Sequence, residues 1–295
     1  MQGLISFFKR IPFYQGLSVY DVAIFFWHGL YEGAISSRAA SISFSFFLAL
    51  FPGVIFLFTL IPFIPVAGFQ AEVFNLIQDI MPPNSFEVAQ TVINDIINIK
   101  RGDLLMYTII ATLFFATNGT LSLIGNMGLT VHNLQIKGFW SQYLAAVILT
   151  LVLSVLLIMG ITMIIYSQAI ISDIWSTAFL GLTGDTAVSW ARNLILVGLI
   201  LVSVSLLFYY GPAKKAPWRI ISPGAILSTL LVMASSSLFG LYVQNFSTYN
   251  HFYGSISTLL IILLWIYINA FGLLIGFELN AGVAQAKNVN SQSKT

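Results

Sequence analysis

Residues 256–281 read ISTLLIILLWIYINAFGLLIGFELNA. From Ile256 to Phe277 no Asp, Glu, Lys or Arg appears, and the first charge, Glu278, arrives only at the end. A helix needs about 20 apolar residues to cross the hydrocarbon core of a bilayer, and this run is long enough. Moving outward along the chain, five further stretches pass the same test. Spans are predicted near 39–64, 104–127, 141–166, 191–210, 221–243 and 256–277. Composition agrees: 58% of the 295 residues are apolar and only 7% are charged, against about a quarter charged in soluble domains. So few charges cannot cover a water-facing surface, whereas lipid-facing helices are apolar by requirement. The predicted fold class is an all-α integral membrane protein with six transmembrane helices, an N-terminal interfacial helix and an extracytoplasmic helical hairpin.

Two segments outside the spans are amphipathic. Ala23, Ile24, Trp27, Leu30, Tyr31 and Ala34 recur at three- and four-residue steps, the period of a helix with one apolar face. Ser18 and Asp21 offer a capping box at its start. Residues 1–37 are therefore expected to carry a cytoplasmic helix lying in the membrane interface. Between the first two spans, Val73, Leu76, Ile77 and Ile80 mark one helix, stopped by Pro82-Pro83. Asn84 and Glu87 suit the cap of a second, carrying Ala89, Val92, Ile93, Ile96 and Ile97. An outer helical hairpin over 70–100 is expected, resting on the membrane or capping the bundle. Residues 38–284 then form the membrane domain, and 285–295 a disordered cytoplasmic tail. Lys9 and Arg10 follow the apolar residues Leu4 to Phe8 rather than preceding them, which does not resemble a cleavable signal.

Orientation follows from the basic residues, which favour the cytoplasmic side of short loops. With the N-terminus inside, Lys9, Arg10, Arg38, Lys137, Lys214, Lys215, Arg219, Lys287 and Lys294 are cytoplasmic, and Lys100, Arg101 and Arg192 lie opposite. An even number of spans then returns the C-terminus to the cytoplasm. The expected location is the bacterial plasma (inner) membrane, with both termini cytoplasmic.

Polar groups at membrane depth are costly and mark candidate sites. Asn118, Ser122 and Asn126 are spaced by four residues along one face of the second span. Arg38, Ser41, Ser45, Ala49 and Pro52 share a face of the first, where Pro52 is a potential kink. Asn269, Gly272, Gly276 and Asn280 make a third stripe in the last span. These stripes either line a polar path for a headgroup, ion or amphiphile, or pack helices together, as the small-residue spacing Gly272-x-x-x-Gly276 does elsewhere. Arg38 and Glu278 lie near the cytoplasmic edge, where a snorkelling side chain is the ordinary reading; a direct pair between them is the alternative. Tyr249, Asn250, Tyr253 and Gly254 are expected to form a turn at the outer boundary.

Chemistry is scarce. There are no cysteines, and the three histidines, His28, His132 and His251, are scattered. No carboxylate cluster, phosphate loop or nucleophile elbow appears. The chain is therefore not expected to be an enzyme, to use a cofactor, or to bind a metal. Its net charge of +2 gives no basis for nucleic-acid binding. The expected partners are membrane lipids and proteins of the cell envelope, with homo-oligomerisation open.

Several motifs bear a resemblance. Arg38-Ala39-Ala40-Ser41-Ile42-Ser43-Phe44 with Ala49-Leu50-Phe51-Pro52, Trp218 with Pro223-Gly224-Ala225, and a C-terminal set resemble the YihY/BrkB family of bacterial inner-membrane proteins, once labelled ribonuclease BN. The C-terminal set is Tyr249-Asn250, Tyr253-Gly254-Ser255, Leu264-Trp265 and Gly276-Phe277-Glu278-Leu279-Asn280-Ala281. The stretch His132 to Lys137 departs from the family, which usually shows an acidic residue and an arginine there. The resemblance implies six spans with both termini cytoplasmic, links to envelope integrity, and for some members a part in lipid transport. The expected function is a transporter or flippase-like protein for a lipid or other amphiphile. Arg38 and Lys137 would meet an anionic headgroup, and Asn118, Ser122, Asn126, Asn269 and Asn280 would provide polar contacts. Pro52, Gly119 and Gly125 would open the backbone along the path. A non-transporting envelope scaffold is the alternative.

Overall fold

A computed structural model describes residues 17–64, 69–80, 83–131, 138–175, 184–211, 221–244 and 250–292. Among these the elements are nine α-helices and one short 3-10 turn. In chain order they are α1 (Val19–Glu32), α2 (Ile35–Leu60) with the turn Ile61–Phe63, α3 (Phe69–Ile80), α4 (Pro83–Asn98), α5 (Gly102–Gly128), α6 (Phe139–Trp175), α7 (Gly184–Tyr210), α8 (Pro223–Gln244) and α9 (Asn250–Gln292).

Six segments are long and apolar enough to cross a membrane: Ile35–Phe63, Gly102–Gly128, Phe139–Met163, Arg192–Tyr210, Pro223–Tyr242 and Leu259–Lys287. Only 11 to 22% of the residues in their apolar windows are buried. Leu57, Ile110, Phe114, Leu157, Ile158 and Leu230 are all exposed. In water such surfaces would associate or aggregate. Against acyl chains they cost nothing, and the helices satisfy their own backbone groups.

The chain divides into two compact units. One comprises residues 1–44 with 120–295, the other 45–119. In the larger unit α6 packs on α7, α7 on α8, α8 on α9 and α9 on α1. The α8–α9 seam is the tightest. A Cβ on Gly224 would collide with the Gly276 carbonyl, and one on Gly276 would collide with Ser228 Oγ and the Gly224 carbonyl. Ser228 Oγ donates to the Gly272 carbonyl at 3.1 Å. The small residues thus let two backbones approach and trade a hydrogen bond, which is how helices associate without a hydrophobic driving force. Helix α8 starts with Ser222, whose Oγ accepts from Ala225 N at 3.1 Å, and with Pro223 in the first helical position.

Helix α1 begins where the capping argument puts it: Ser18 Oγ accepts from Tyr20 N at 3.1 Å. Its inner face, Leu17, Val22 and Phe25, closes on Leu279, Val283 and Ala286 of α9. Gly282 leaves room for this approach, since a Cβ there would lie 3.1 Å from Phe26 N. The expected disordered tail is corrected accordingly: α9 stays helical to Gln292, because Val283 and Ala286 are buried against α1. Between α1 and α2, Gly33 donates to the Gly29 carbonyl at 3.0 Å. The next residue, Ala34, has φ 45°, a left-handed conformation that costs an L-residue about 1 kcal/mol or more.

In the smaller unit, Thr59 and Thr108 pair their hydroxyls at 3.3 Å, and the Phe46 ring rests on Gly119. Helices α3 and α4 pack on each other and α4 on the 3-10 turn, two paired helices within the stretch 70–100. Pro83 opens α4 rather than only stopping α3. The caps expected at Asn84 and Glu87 involve side chains outside the described set. The backbone openings predicted at Gly119 and Gly125 are not found, since α5 is continuous through both; Gly119 instead gives the Phe46 ring its seat. Pro52 likewise sits inside an unbroken α2.

Candidate functional site

Arg38 sits in the first turn of α2, four residues past the left-handed Ala34, and is only 4% exposed. Its guanidinium gathers three chain segments. Nη1 donates to Glu278 Oε1 on α9 at 2.6 Å and to the Gly33 carbonyl at 3.2 Å. Nε donates to the Asn126 carbonyl in the last turn of α5 at 2.7 Å. The carbonyls at a helix C-terminus lack intrahelical donors and carry partial negative charge, so a cation there is favoured. Glu278 has no exposed surface, and its second oxygen, Oε2, accepts from Thr130 Oγ1 at 2.7 Å. Both carboxylate oxygens are therefore held by donors.

The snorkelling reading of Arg38 and Glu278 is thus overturned, and the direct pair is what forms. Two charges near the end of a membrane span have been drawn into protein rather than toward solvent. Burying them is costly unless pairing is close and the remaining lone pairs are filled, and here the distances and the Thr130 bond meet both conditions. One polar group is left over. Arg38 Nη2 is buried with no acceptor among the described residues.

The polar stripes have mixed fates. Asn126 Nδ2 donates to the Ser122 carbonyl at 2.8 Å and, at 3.4 Å, to Ser41 Oγ and Ser122 Oγ. Ser122 Oγ donates to the Ser41 carbonyl at 3.4 Å. Ser41, Ser122 and Asn126 are therefore brought together as one α2–α5 contact. Asn118, on the same face of α5, is half-buried and makes no side-chain hydrogen bond among the described residues. Ser45 is half-buried and bonded.

On α9, Asn269 Oδ1 accepts from Ser235 Oγ at 3.1 Å, and its Nδ2 donates to the Trp265 carbonyl at 2.7 Å. Asn280 Oδ1 accepts from Gly224 N at 2.8 Å, and its Nδ2 donates to Ser222 Oγ at 3.0 Å. These two asparagines hold α8 against α9, and Asn280 also supplements the N-terminal cap of α8. The predicted outer turn is corrected: α9 begins at Asn250, so Asn250, Tyr253 and Gly254 fall in its first two turns. Tyr249 and Lys137 lie outside the described residues.

Sequence reasoning passed over Thr130, Gly33 and Ser235. Thr130 lies just beyond the end of α5 and is 148 residues from Glu278, so no local pattern points to it. Among the described residues no three His, Asp or Glu side chains gather as a metal site would require.

The chain is 26% identical over 267 residues to YfkH of Bacillus subtilis (strain 168), called ribonuclease-like, covering 90% of this chain and 94% of that protein. It is 24% identical over 265 residues to UPF0761 membrane proteins of Xanthomonas oryzae pv. oryzae (strain PXO99A) and Xanthomonas campestris pv. campestris (strain B100), covering 88% of this chain. It spans only 60% of the length of those Xanthomonas relatives. No solved structure gives a significant match. The family described as Virulence factor BrkB matches residues 26–295, a stretch that contains α2, α5 and α9 with their buried Arg38–Glu278 pair, and this multi-pass membrane protein belongs to that family.

Proposed function

We propose that the protein is a transporter or flippase-like protein for a lipid or other amphiphile, acting in the bacterial inner membrane with both termini in the cytoplasm. The observation that carries the reading is the Arg38–Glu278 centre. An ionisable pair among membrane spans is expensive to maintain and marks a functional site by default. Arg38 Nη2 also retains N–H groups that no described residue accepts, so an anionic oxygen could be received there. Asn118 adds a half-buried polar group on α5 not engaged in a side-chain hydrogen bond among the described residues. With no nucleotide-binding loop in the sequence, uphill transport would draw on a gradient or a partner protein.

The test is translocation of labelled anionic and zwitterionic lipids in liposomes containing the purified protein, with and without a proton gradient. Asn118→Leu is the informative variant, because it removes a polar group without breaking a described side-chain bond. Transport by the wild type and its loss in the variant would uphold the reading. A rate equal to empty liposomes for every lipid would end it.

A second reading has its own support. Ser41, Ser122, Asn126, Asn269 and Asn280 all hydrogen-bond neighbouring helices, as a non-transporting envelope scaffold would use them. Co-purification of envelope proteins that depends on the α3–α4 hairpin would favour it. In either case the chain is read as non-enzymatic. Incubation with magnesium and labelled RNA should leave the RNA intact, and cleavage that follows the pure protein would reverse that view. The absence of cysteine makes the topology simple to check: single cysteines at Gln2 and Ser293 should react with an impermeant thiol reagent only from the cytoplasmic side.

A further inference from the structure

Helix α1 has two faces with different fates. One is closed by α9 through Leu17, Val22 and Phe25. The other is open and aromatic: Ile24 is 48% exposed, Trp27 69% and Tyr31 84%. Together with Tyr20, His28 and Glu32 they line an open groove of about 630 Å³. The His28 and Glu32 side chains are about half exposed, with Nδ1 3.3 Å from Oε1. Only Gly33 and Ala34 separate α1 from α2, whose membrane-crossing segment starts at Ile35. Covalent geometry therefore holds Trp27 and Tyr31 within a few turns of the bilayer edge, the level at which Trp and Tyr are enriched.

We propose that this face of α1 is a binding site for a phospholipid with an amine-bearing headgroup. Three features select that occupant. The groove opens at the level where headgroups lie. Its walls are aromatic and aliphatic, suited to the first carbons of an acyl chain and to an ammonium resting on a ring face. Among the described residues its one acidic side chain is Glu32, which attracts an ammonium and repels the phosphate of a lipid lacking one. Helix α1 is thus a recognition element that reads the composition of the adjoining leaflet. Such binding is independent of transport, since a scaffold carrying the same helix would bind the same lipid.

The experiment is native mass spectrometry of the full chain in detergent micelles supplied with equimolar phosphatidylethanolamine and phosphatidylglycerol of identical acyl chains. The wild type should retain phosphatidylethanolamine about five-fold over phosphatidylglycerol, the scale expected of an exposed carboxylate and ring contacts together. Glu32→Gln should lower the ratio to about two, the share left to the ring contacts, while total lipid changes little. Trp27→Ala with Tyr31→Ala should lower retention of both lipids. Because these side chains point away from the α1–α9 contact, unchanged helicity and elution volume should accompany each variant. Equal retention of the two lipids by the wild type, or an ethanolamine preference untouched by all the variants, overturns the proposal. The readout is binding, so a protein inactive in the liposome assay can still pass, and an active one can still fail.

Discussion

Removing Arg38 and Glu278 together should cost the protein far less than the two single removals added. Arg38→Met deletes donors to the Gly33 and Asn126 carbonyls and leaves the Glu278 carboxylate buried with Thr130 as its described donor. Hydrogen bonds in a membrane average about 0.6 kcal/mol, so the two carbonyls account for roughly 1 kcal/mol together. Stranding one member of a buried pair costs about 3–5 kcal/mol. The stranded charge is therefore the larger effect. Glu278→Leu strands the guanidinium in the same way, partly relieved by its two carbonyl acceptors, and should cost about 3 kcal/mol. Arg38→Met with Glu278→Leu leaves no buried charge, so the double variant should fall well short of the sum, with a coupling energy of at least ~2 kcal/mol. The measurement is unfolding of the purified variants in mixed micelles by titration with dodecyl sulfate, followed by circular dichroism. Single-variant losses below about 1 kcal/mol each, adding within about 0.5 kcal/mol, would refute the reasoning, because such groups would have to be solvated.

The turn between α1 and α2 offers a second check. Ala34→Gly should be neutral or stabilising by up to about 1 kcal/mol, while Ala34→Val should lose about 1–2 kcal/mol, since only glycine adopts a left-handed φ freely; equal stability of the two variants would contradict the geometry. At the α8–α9 seam, Gly276→Val should cost about 3 kcal/mol or abolish the folded yield, whereas Gly53→Ala, whose nearest neighbour is Thr112 Cγ2 at 3.9 Å, should be tolerated. Asn280→Leu leaves Gly224 N and Ser222 Oγ without their partner and should cost about 1–2 kcal/mol in the same titration. Ser18→Ala should remove about 1 kcal/mol of capping and accelerate amide exchange at the start of α1 before anywhere else.

The spans were legible because an uncharged apolar run long enough to cross a bilayer suits lipid on every side, while a water-facing helix of that length needs a polar face. The last shows this best: the pattern placed its end at 277, and the apolar segment continues to Lys287. The misjudged stretch was 285–292, where Lys287, Asn288 and Asn290 suggested a loose tail. Burial of Ala286 depends on α1, some 260 residues earlier, and polarity on the other face of the helix hid it. The same limit applies to the site. Helical spacing correctly aligned Ser122 with Asn126 and Asn269 with Asn280, because periodicity reports which residues share a face. It carries no information on what that face meets. Arg38 and Glu278 are 240 residues apart, so the pair was legible only as an option. Thr130 and the Gly33 carbonyl, which complete the centre, belong to helix ends whose positions follow from tertiary packing.

Helix α9 has 43 residues and is therefore about 64 Å long, roughly twice the thickness of the hydrocarbon core. Its closest contact is the bearing at Gly276, where it touches the backbone of α8. From that point it extends about 39 Å to Asn250 and about 24 Å to Gln292. A rod held at such a point behaves as a lever with unequal arms. Rocking by 5° would swing the Asn250 end by about 3.4 Å and the Gln292 end by about 2.1 Å in the opposite sense. Glu278 sits almost on the axle and would hardly translate, while α1, fastened to the short arm, would be carried with it. A push on one face of the membrane would thus reach the other at reduced amplitude, with the ion pair acting as the pin rather than the load.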